Sequence, residues 1–135
     1  YLQALKGRDG LSSPSVPALV AHIAAYRDGA PWLDALRDYL QANMRYVADT
    51  LNNAFPALCW QPPEATYLAW IDLRPLNVDD RALQQALIAE QKVAIMPGYT
   101  YGPEGNGFLR LNVGCPREKL ERGVEGLIAA LRSLS

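Results

Sequence analysis

The chain has 135 residues, of which 50% are apolar and 20% are charged, and its formal net charge is −1. Such values are typical of one ordinary soluble domain and exclude a disordered, collagen-like or coiled-coil chain. The balanced charge, without a run of Lys or Arg, argues against nucleic acid as a partner, and no apolar run is long enough to span a bilayer, so we expect no membrane contact. Cys59 and Cys115 have no metal-binding spacing, and two reduced thiols fit a cytoplasmic protein without a metal site.

The N-terminal part of the chain predicts one short, nearly uncharged helix. Ser13 or Ser15 would cap its N-terminus and Gly29 would end it. The residues predicted to face inward are Val16, Leu19, Val20, Ile23 and Tyr26. So apolar a helix needs cover on more than one side. Because the chain begins with Tyr1 rather than Met, we expect that covering surface in sequence outside these 135 residues.

Pro31 opens a second predicted helix, which continues to about Asn53. Its apolar stripe consists of Trp32, Leu36, Tyr39 or Leu40, Val47 and Leu51. At roughly 23 residues the helix would be ~35 Å long, which is typical of a helix that bridges two domains. Two strands are predicted to follow it, at residues 58–61 and 66–73.

Helices and strands are predicted for the remainder of the chain. Asn77 is a suitable N-cap for a helix over residues 78–91, and residues 93–96 predict a short buried strand. A glycine-rich loop, residues 97–107, leads into the next strand, and Pro116 starts a C-terminal amphipathic helix. From the second helix onward the predicted order is α-β-β-α-β-β-α. This order indicates an α+β domain, with a small sheet and helices on one face.

The strand after the glycine-rich loop has a cation on one face. Its residues alternate between a face with Leu109, Leu111 and Val113 and a face with Phe108, Arg110 and Asn112. The first face is typical of a core, whereas the guanidinium on the second cannot lose its charge on burial. Its planar fork suits a carboxylate bound by two parallel hydrogen bonds. From the strand alone, a structural ion pair is a simpler interpretation of Arg110 than a ligand contact.

The other polar residues predict no catalytic centre. The loop lacks a G-K-[ST] phosphate motif and precedes a strand, so its glycines are best explained as turn residues, although Tyr99 and Tyr101 are typical of side chains that line a pocket. His22 has no nucleophile or carboxylate nearby in sequence, and Asp79 and Asp80 complement the dipole of the helix they begin. The residues alone therefore indicate a carboxylate-binding half-site, without a nucleophile, a base or a metal.

Residues 97–117 contain, in order, Pro-Gly, Gly-Pro-Glu-Gly and Gly-Phe-Leu-Arg-Leu-Asn. Together with residues 5–15, 31–34 and 66–75, this segment resembles the C-terminal part of enzymes that use pyridoxal 5′-phosphate (PLP) and have the aspartate-aminotransferase fold, known as fold type I. Within aminotransferase class I and II, the segment is similar to the cystathionine β-lyase or C–S lyase branch. The resemblance covers essentially the whole chain.

The resemblance implies a domain arrangement and a cofactor. Residues 1–30 would be the tail of a large PLP-binding domain, and residues 31–135 would be the small C-terminal domain, which the long helix opens. PLP would be the cofactor of the full-length protein, and its covalent lysine and phosphate loop would lie upstream of Tyr1. Lys6 follows the motif of that lysine and is no substitute for it. We therefore expect the 135-residue chain by itself to bind no cofactor and to be inactive, with no catalytic residue of its own.

The resemblance also assigns roles to residues of the small domain. Arg110 would bind the α-carboxylate of the substrate, and Tyr101 and Asn112 would line the pocket. The full-length protein would be a homodimeric C–S lyase, catalysing α,β-elimination on sulfur amino acids, with an accessory role in restraining the transcriptional activator of the maltose system. Two alternatives stay open: the small domain of a PLP-dependent aminotransferase, and, from another class, a non-catalytic carboxylate-sensing or regulatory module.

Overall fold

The computed structural model describes residues 2–8 and 14–134. Its contacts divide the chain into two compact units, residues 1–38 and 39–135. The long helix contributes to both units, and the sheet and the core belong to the second. The predicted domain boundary after residue 30 stays a prediction.

The first unit contains helices α1 (Leu2–Arg8) and α2 (Val16–Asp28). Ser15 caps α2, since its hydroxyl accepts a hydrogen bond from the N–H of the third helical residue at 3.4 Å, and Gly29 ends the helix. The predicted limits of α2 are confirmed, whereas Ser13, the other candidate cap, lies outside the described residues. The residues predicted to face inward are 47–85% exposed: Val16, Leu19, Val20, Ile23 and Tyr26. Apolar side chains occupy several sides of α2, so no single face could bury them all.

Helix α3 (Ala30–Ala54) begins one residue before Pro31 and ends one residue after Asn53, so the predicted long helix is confirmed. Its start is exposed, with Trp32 at 69%. Its second half enters the core, and the buried residues there are Asn43, Met44, Val47, Ala48 and Leu51. The C-terminal part of the predicted stripe therefore faces the core, and a polar residue accompanies it.

A three-stranded antiparallel sheet lies at the centre of the second unit. Its order is β1 (Leu68–Asp72), β3 (Phe108–Asn112) and β2 (Met96–Pro97), so β3 is the central strand. The alternation predicted for β3 is confirmed: its two leucines are 2% and 8% exposed, whereas Arg110 is half-buried on the opposite face. The buried residues of the inner face are Ala69, Ile71, Leu109, Leu111 and Val113.

The predicted strand at residues 58–61 is wrong. The chain makes a 3₁₀ turn over Pro56–Leu58, and Cys59 adopts a left-handed conformation with a φ of 45°. The side chain of Asn52 binds both backbone groups of Trp60, accepting from its N–H at 2.9 Å and donating to its C=O at 2.8 Å. Because these groups bind a helix side chain, they are not available to a neighbouring strand. The sheet therefore has three strands rather than four.

The helix and the strand that precede β3 are both shorter than predicted. Helix α4 spans Asp80–Ala89, and Asp79 caps it by accepting hydrogen bonds from two N–H groups of the first turn at 2.7 and 3.0 Å. Asn77, the predicted cap, has a φ of 51° and ends a 3₁₀ turn instead. Only the last of residues 93–96 belongs to a strand, and that residue, Met96, is 45% exposed rather than buried as predicted.

Helix α5 (Arg117–Ser133) begins directly after Pro116, as predicted, and completes the core. Its buried residues are Leu120, Val124, Gly126, Leu127, Ala130 and Leu131. The core consists of the inner face of the sheet and the buried sides of α3, α4 and α5. The predicted α+β class is therefore confirmed. Across residues 2–8 and 14–134, no helix combines the length and the apolar character that a membrane span requires.

Candidate carboxylate-binding site

Arg110 lies in the middle of the central strand, on the face of the sheet opposite the core. Its cross-strand neighbours are Trp70 on β1 and Met96 on β2, which are 39% and 45% exposed. Because β3 is paired on both sides, the backbone that carries the guanidinium is held at its centre. The charged group is therefore presented from a rigid element, between two large and partly exposed side chains.

No carboxylate among the described residues pairs with Arg110. Asp72 shares the outer face of β1, but Arg74 binds it through two hydrogen bonds, Nη2 to Oδ2 at 2.7 Å and Nε to Oδ1 at 2.9 Å. The hydrogen bond from the Arg74 guanidinium holds the pKa of Asp72 below its usual range. The structural ion pair that the strand alone favoured for Arg110 does not form within the described chain. This cation is therefore available to an external anion.

Three rings lie in contact along the outer face and end at Arg110. The Cζ atom of Arg110 is 4.8 Å from the centroid of the Tyr101 ring. Tyr101 meets Trp70 edge to face at 5.7 Å and 72°, and Trp70 stacks on Phe108 at 5.6 Å and 22°. We call Phe108, Trp70 and Tyr101 the aromatic row. Arg74 lies 4.6 Å from the Phe108 ring at its other end.

A cavity of about 650 Å³ adjoins Arg110. Asn112 is in the lining of this cavity, whereas Tyr101 is not and lies against the guanidinium; the pocket-lining roles of both residues stay predictions. The Oδ1 atom of Asn112 accepts a hydrogen bond from the N–H of Gly114 at 2.8 Å. Other cations in the lining are Lys92, Lys119 and Arg122. Since the described lining contains no Asp or Glu, its charge favours an anionic ligand.

Side chains from two helices hold the ends of β3. Asn43 of α3 is fully buried, and its Nδ2 donates to the backbone oxygens of Val113 at 2.9 Å and Cys115 at 3.2 Å. At the other end of the strand, Asp80 of α4 accepts a hydrogen bond from the N–H of Gly107 at 2.7 Å. The strand between these anchors has little freedom to shift relative to the core.

The glycine-rich loop is a crossing of two backbone segments. A Cβ atom on Gly98 would collide with the backbone oxygen of Gly105, and a Cβ atom on Gly105 would collide with that of Gly98. The loop therefore fills its own interior and leaves no cradle for a phosphate. Lys92 is engaged with the end of α4, since its Nζ donates to the backbone oxygen of Ala89 at 2.6 Å. The described residues therefore do not fit PLP, and no three His, Cys, Asp or Glu among them are grouped as metal ligands.

Two features of this site were not predicted from the sequence. Alternation along β1 places Trp70 on the same face as Asp72. Its position opposite Arg110 follows only from the pairing of β1 with β3. Lys119 and Arg122 are one turn apart on α5, but Lys92 lies beyond the end of α4, so the convergence of all three cations on one cavity has no signal in the sequence.

Comparison with known proteins identifies the relatives of the chain. A family model for aminotransferases of class I and II matches residues 1–127. The chain is 72% identical to Protein MalY of Escherichia coli K12 over 134 residues, which cover 99% of the chain and 34% of MalY. It is 40% identical to the cystathionine β-lyase PatB of Bacillus subtilis over 124 residues, which cover 92% of the chain and 32% of PatB. The chain therefore spans about a third of the length of these curated relatives.

Two solved structures that contain PLP share the fold. Cystalysin from Treponema denticola, which contains PLP, matches with a TM-score of 0.83 and 31% identity over 96% of this chain and 34% of its own. The PLP-bound C–S lyase from Staphylococcus hominis matches with a TM-score of 0.81 and 31% identity over 95% of this chain and 34% of its own. The predicted fold type I relationship is thereby confirmed. Since the family match covers nearly the whole sequence, this chain belongs to the aminotransferase class I and II family.

Proposed function

We propose that the chain is the small domain of a PLP-dependent C–S lyase of the cystathionine β-lyase type, in which Arg110 binds the α-carboxylate of the amino-acid substrate. The observation that carries this proposal is a guanidinium at the centre of the outer sheet face that pairs with no described acid. Such a group can bind a carboxylate through two parallel hydrogen bonds. The adjoining cavity has Arg110 and three further cations in its lining, which supports an anionic ligand beside this strand.

In this reaction the chain contributes binding and orientation. Two N–H groups of Arg110 would hold the carboxylate in the plane of the guanidinium, which limits the rotation of the substrate about its α-carbon. All chemistry of the cofactor is assigned to the remainder of the full-length protein, because the described residues form no PLP site. Residues 1–30 would belong to the large domain and residues 31–135 to the small domain of a homodimer. The isolated chain is accordingly proposed to be inactive.

A PLP-dependent aminotransferase is a second candidate, because the family carries that name and an LL-diaminopimelate aminotransferase from Desulforudis audaxviator is 28% identical over 113 residues. Arg110 would have the same role, since both reactions act at the carbon that bears the carboxylate. The lyase is favoured because relatives named cystathionine β-lyase reach 40% identity. The carboxylate-sensing module and the role in restraining the activator of the maltose system stay predictions, since no contact of the described residues tests them.

The substitution Arg110→Lys in the full-length protein that contains this chain tests the proposal. Lysine keeps the charge but lacks the planar fork. We therefore expect kcat/KM for L-cystathionine to fall at least about tenfold, which corresponds to ~1.4 kcal/mol of transition-state stabilisation. Arg81→Lys is the matched control, because Arg81 also lies over a tyrosine ring, 4.0 Å from that of Tyr99, but does not line the cavity. An unchanged kcat/KM for Arg110→Lys would contradict the assignment.

A further inference from the structure

We propose that Tyr101 is a positioning residue for Arg110: it holds the guanidinium by its face and leaves the N–H groups at the edge free for the substrate carboxylate. This inference rests on the proposed function of Arg110. It assigns to Tyr101 a role different from lining the pocket, since its ring is absent from the lining and lies against the guanidinium, with Cζ 4.8 Å from its centroid.

The type of contact matters for a residue that must bind an anion. An aspartate beside Arg110 would fix the side chain, but it would occupy the same N–H groups that a substrate carboxylate requires. A ring uses the face of the guanidinium, whose donors all lie in its plane. Tyr101 can therefore restrict the rotamers of Arg110 without competing for its hydrogen bonds. Arg74, on the same sheet face, shows the other type of contact: its Nε and Nη2 donate hydrogen bonds to Asp72 and are therefore occupied.

The aromatic row supports Tyr101 in this position. Trp70 contacts Tyr101 edge to face at 5.7 Å and is itself stacked on Phe108 at 5.6 Å. Trp70 and Phe108 belong to β1 and β3, which are paired with each other, so the row has a rigid base. Tyr101 is 49% exposed, and its contact with Trp70 helps to hold its ring over Arg110. The Tyr101 ring, itself held against the sheet, therefore restricts the motion of the long side chain of Arg110.

The same loop provides a matched control. Tyr99, two residues before Tyr101, lies under Arg81 with Cζ 4.0 Å from its ring centroid. Arg81 belongs to α4, and neither Tyr99 nor Arg81 is in the lining of the cavity. Removal of either ring deletes one cation–π contact from one 3₁₀ turn, Gly98–Tyr101, and removal of the Tyr101 ring also deletes its edge-to-face contact with Trp70. Only the loss of the Tyr101 ring should affect the binding of a carboxylate.

The experiment compares Tyr101→Leu, Tyr101→Phe and Tyr99→Leu in the full-length protein, with S-methyl-L-cysteine and its carboxamide as probes. For Tyr101→Leu we expect KM for the acid to rise about two- to fivefold, the ratio typical of one cation–π contact at a partly exposed site, with kcat unchanged. The equilibrium dissociation constant of L-alanine, which has no leaving group at its β-carbon and is therefore not consumed by elimination, should rise by the same ratio in calorimetry. Binding of the carboxamide, which has no carboxylate, should not change. Tyr101→Phe retains the ring and Tyr99→Leu leaves Arg110 covered, so both should bind like the wild type.

Several results would overturn the inference. An equal rise in KM for Tyr99→Leu would indicate a general effect on the loop, and an equal loss for the carboxamide would exclude a role in carboxylate binding. Unchanged binding in Tyr101→Leu, together with a loss in Arg110→Lys, would reject Tyr101 while the proposed function stands. Unchanged binding in both would reject the proposed function itself. Should Tyr101→Leu fail to fold, as judged by circular dichroism, Tyr101→Met replaces it, because its unbranched side chain fills similar space without a ring.

Discussion

The anchor at the C-terminal end of β3 can be tested by Asn43→Ala. The Nδ2 atom of Asn43 donates to the backbone oxygens of Val113 at 2.9 Å and Cys115 at 3.2 Å, and the residue is fully buried. Without the amide, the oxygen of Cys115 keeps the hydroxyl of Tyr39 as donor at 3.2 Å, whereas the buried oxygen of Val113 loses its donor. A buried acceptor without a partner costs about 1–3 kcal/mol.

Three smaller effects decide the net magnitude for Asn43→Ala. The void left by the amide destabilises the variant by about 1 kcal/mol more, whereas the higher helix propensity of alanine stabilises it by roughly 0.5 kcal/mol. The Oδ1 atom of Asn43 is buried without a hydrogen-bond partner among the described residues, so its removal breaks no described hydrogen bond. We therefore expect the free energy of unfolding to fall by about 2 kcal/mol, which lowers the Tm on the order of 10 °C.

Urea unfolding of the 135-residue chain, followed by tryptophan fluorescence and far-UV circular dichroism, measures this change. Asn53→Ala is the matched control, because Asn53 lies on the same helix but is exposed and has no described hydrogen bond. Its effect should remain within about 0.5 kcal/mol. If Asn43→Ala shifts the urea midpoint no more than Asn53→Ala does, the buried amide is not the anchor of β3.

Two further predictions concern the loop and the outer face. Gly105→Ala should lower the free energy of unfolding by about 1–3 kcal/mol or more, because its Cβ would collide with the backbone of Gly98. The control Gly123→Ala, in open space on α5, should raise the free energy of unfolding by about 0.5–1 kcal/mol. Equal effects of the two variants in urea unfolding would exclude the backbone crossing as the cause. Arg74→Ala should raise the pKa of Asp72, measured by carboxyl NMR. Because that pKa is depressed in the folded state, the contribution of the Arg74–Asp72 pair to stability is present above about pH 4 and is lost as the pH falls through the pKa of Asp72 in the folded protein. A pKa of Asp72 that does not rise in Arg74→Ala would reject the pairing.

Elements whose burial follows a local period were predictable from the sequence. The alternation of β3 and the limits of α3 and α5 depend on residues two to four positions apart, which the sequence displays directly. The segment at residues 58–61 has a strand-like composition but is bound by the side chain of Asn52 from the preceding helix. Such a competition between a side chain and a neighbouring strand for the same backbone groups is not visible in an apolar pattern.

The candidate site likewise has one feature that the sequence predicts and one that depends on the fold. The orientation of Arg110 was predictable from alternation, but its lack of an acid partner among residues 2–8 and 14–134 was not, because the chain has 13 cations and 14 acids and their pairing depends on the fold. The 3₁₀ turn Arg74–Leu76 places the guanidinium of its first residue on Asp72. Asp72 lies on the face of Arg110, so this local pairing decides which arginine stays free. The turn itself has no distinctive sequence signal beyond Pro75.

The two faces of β3 have different physical roles. Leu109 and Leu111 lie in the core, where their burial stabilises the fold. Arg110 forms no ion pair with the described residues, and its partial burial weakens its hydration, so the cation–π contact with Tyr101, worth about 0.5–1 kcal/mol, at most offsets the cost of burying its charge. A β-branched residue would suit a half-buried position in a central strand better. The fold therefore explains where this residue lies but not why it is arginine. Its distinctive chemistry, a planar pair of donors, is used only when an anion binds, so recognition of a carboxylate accounts for the residue better than stability does.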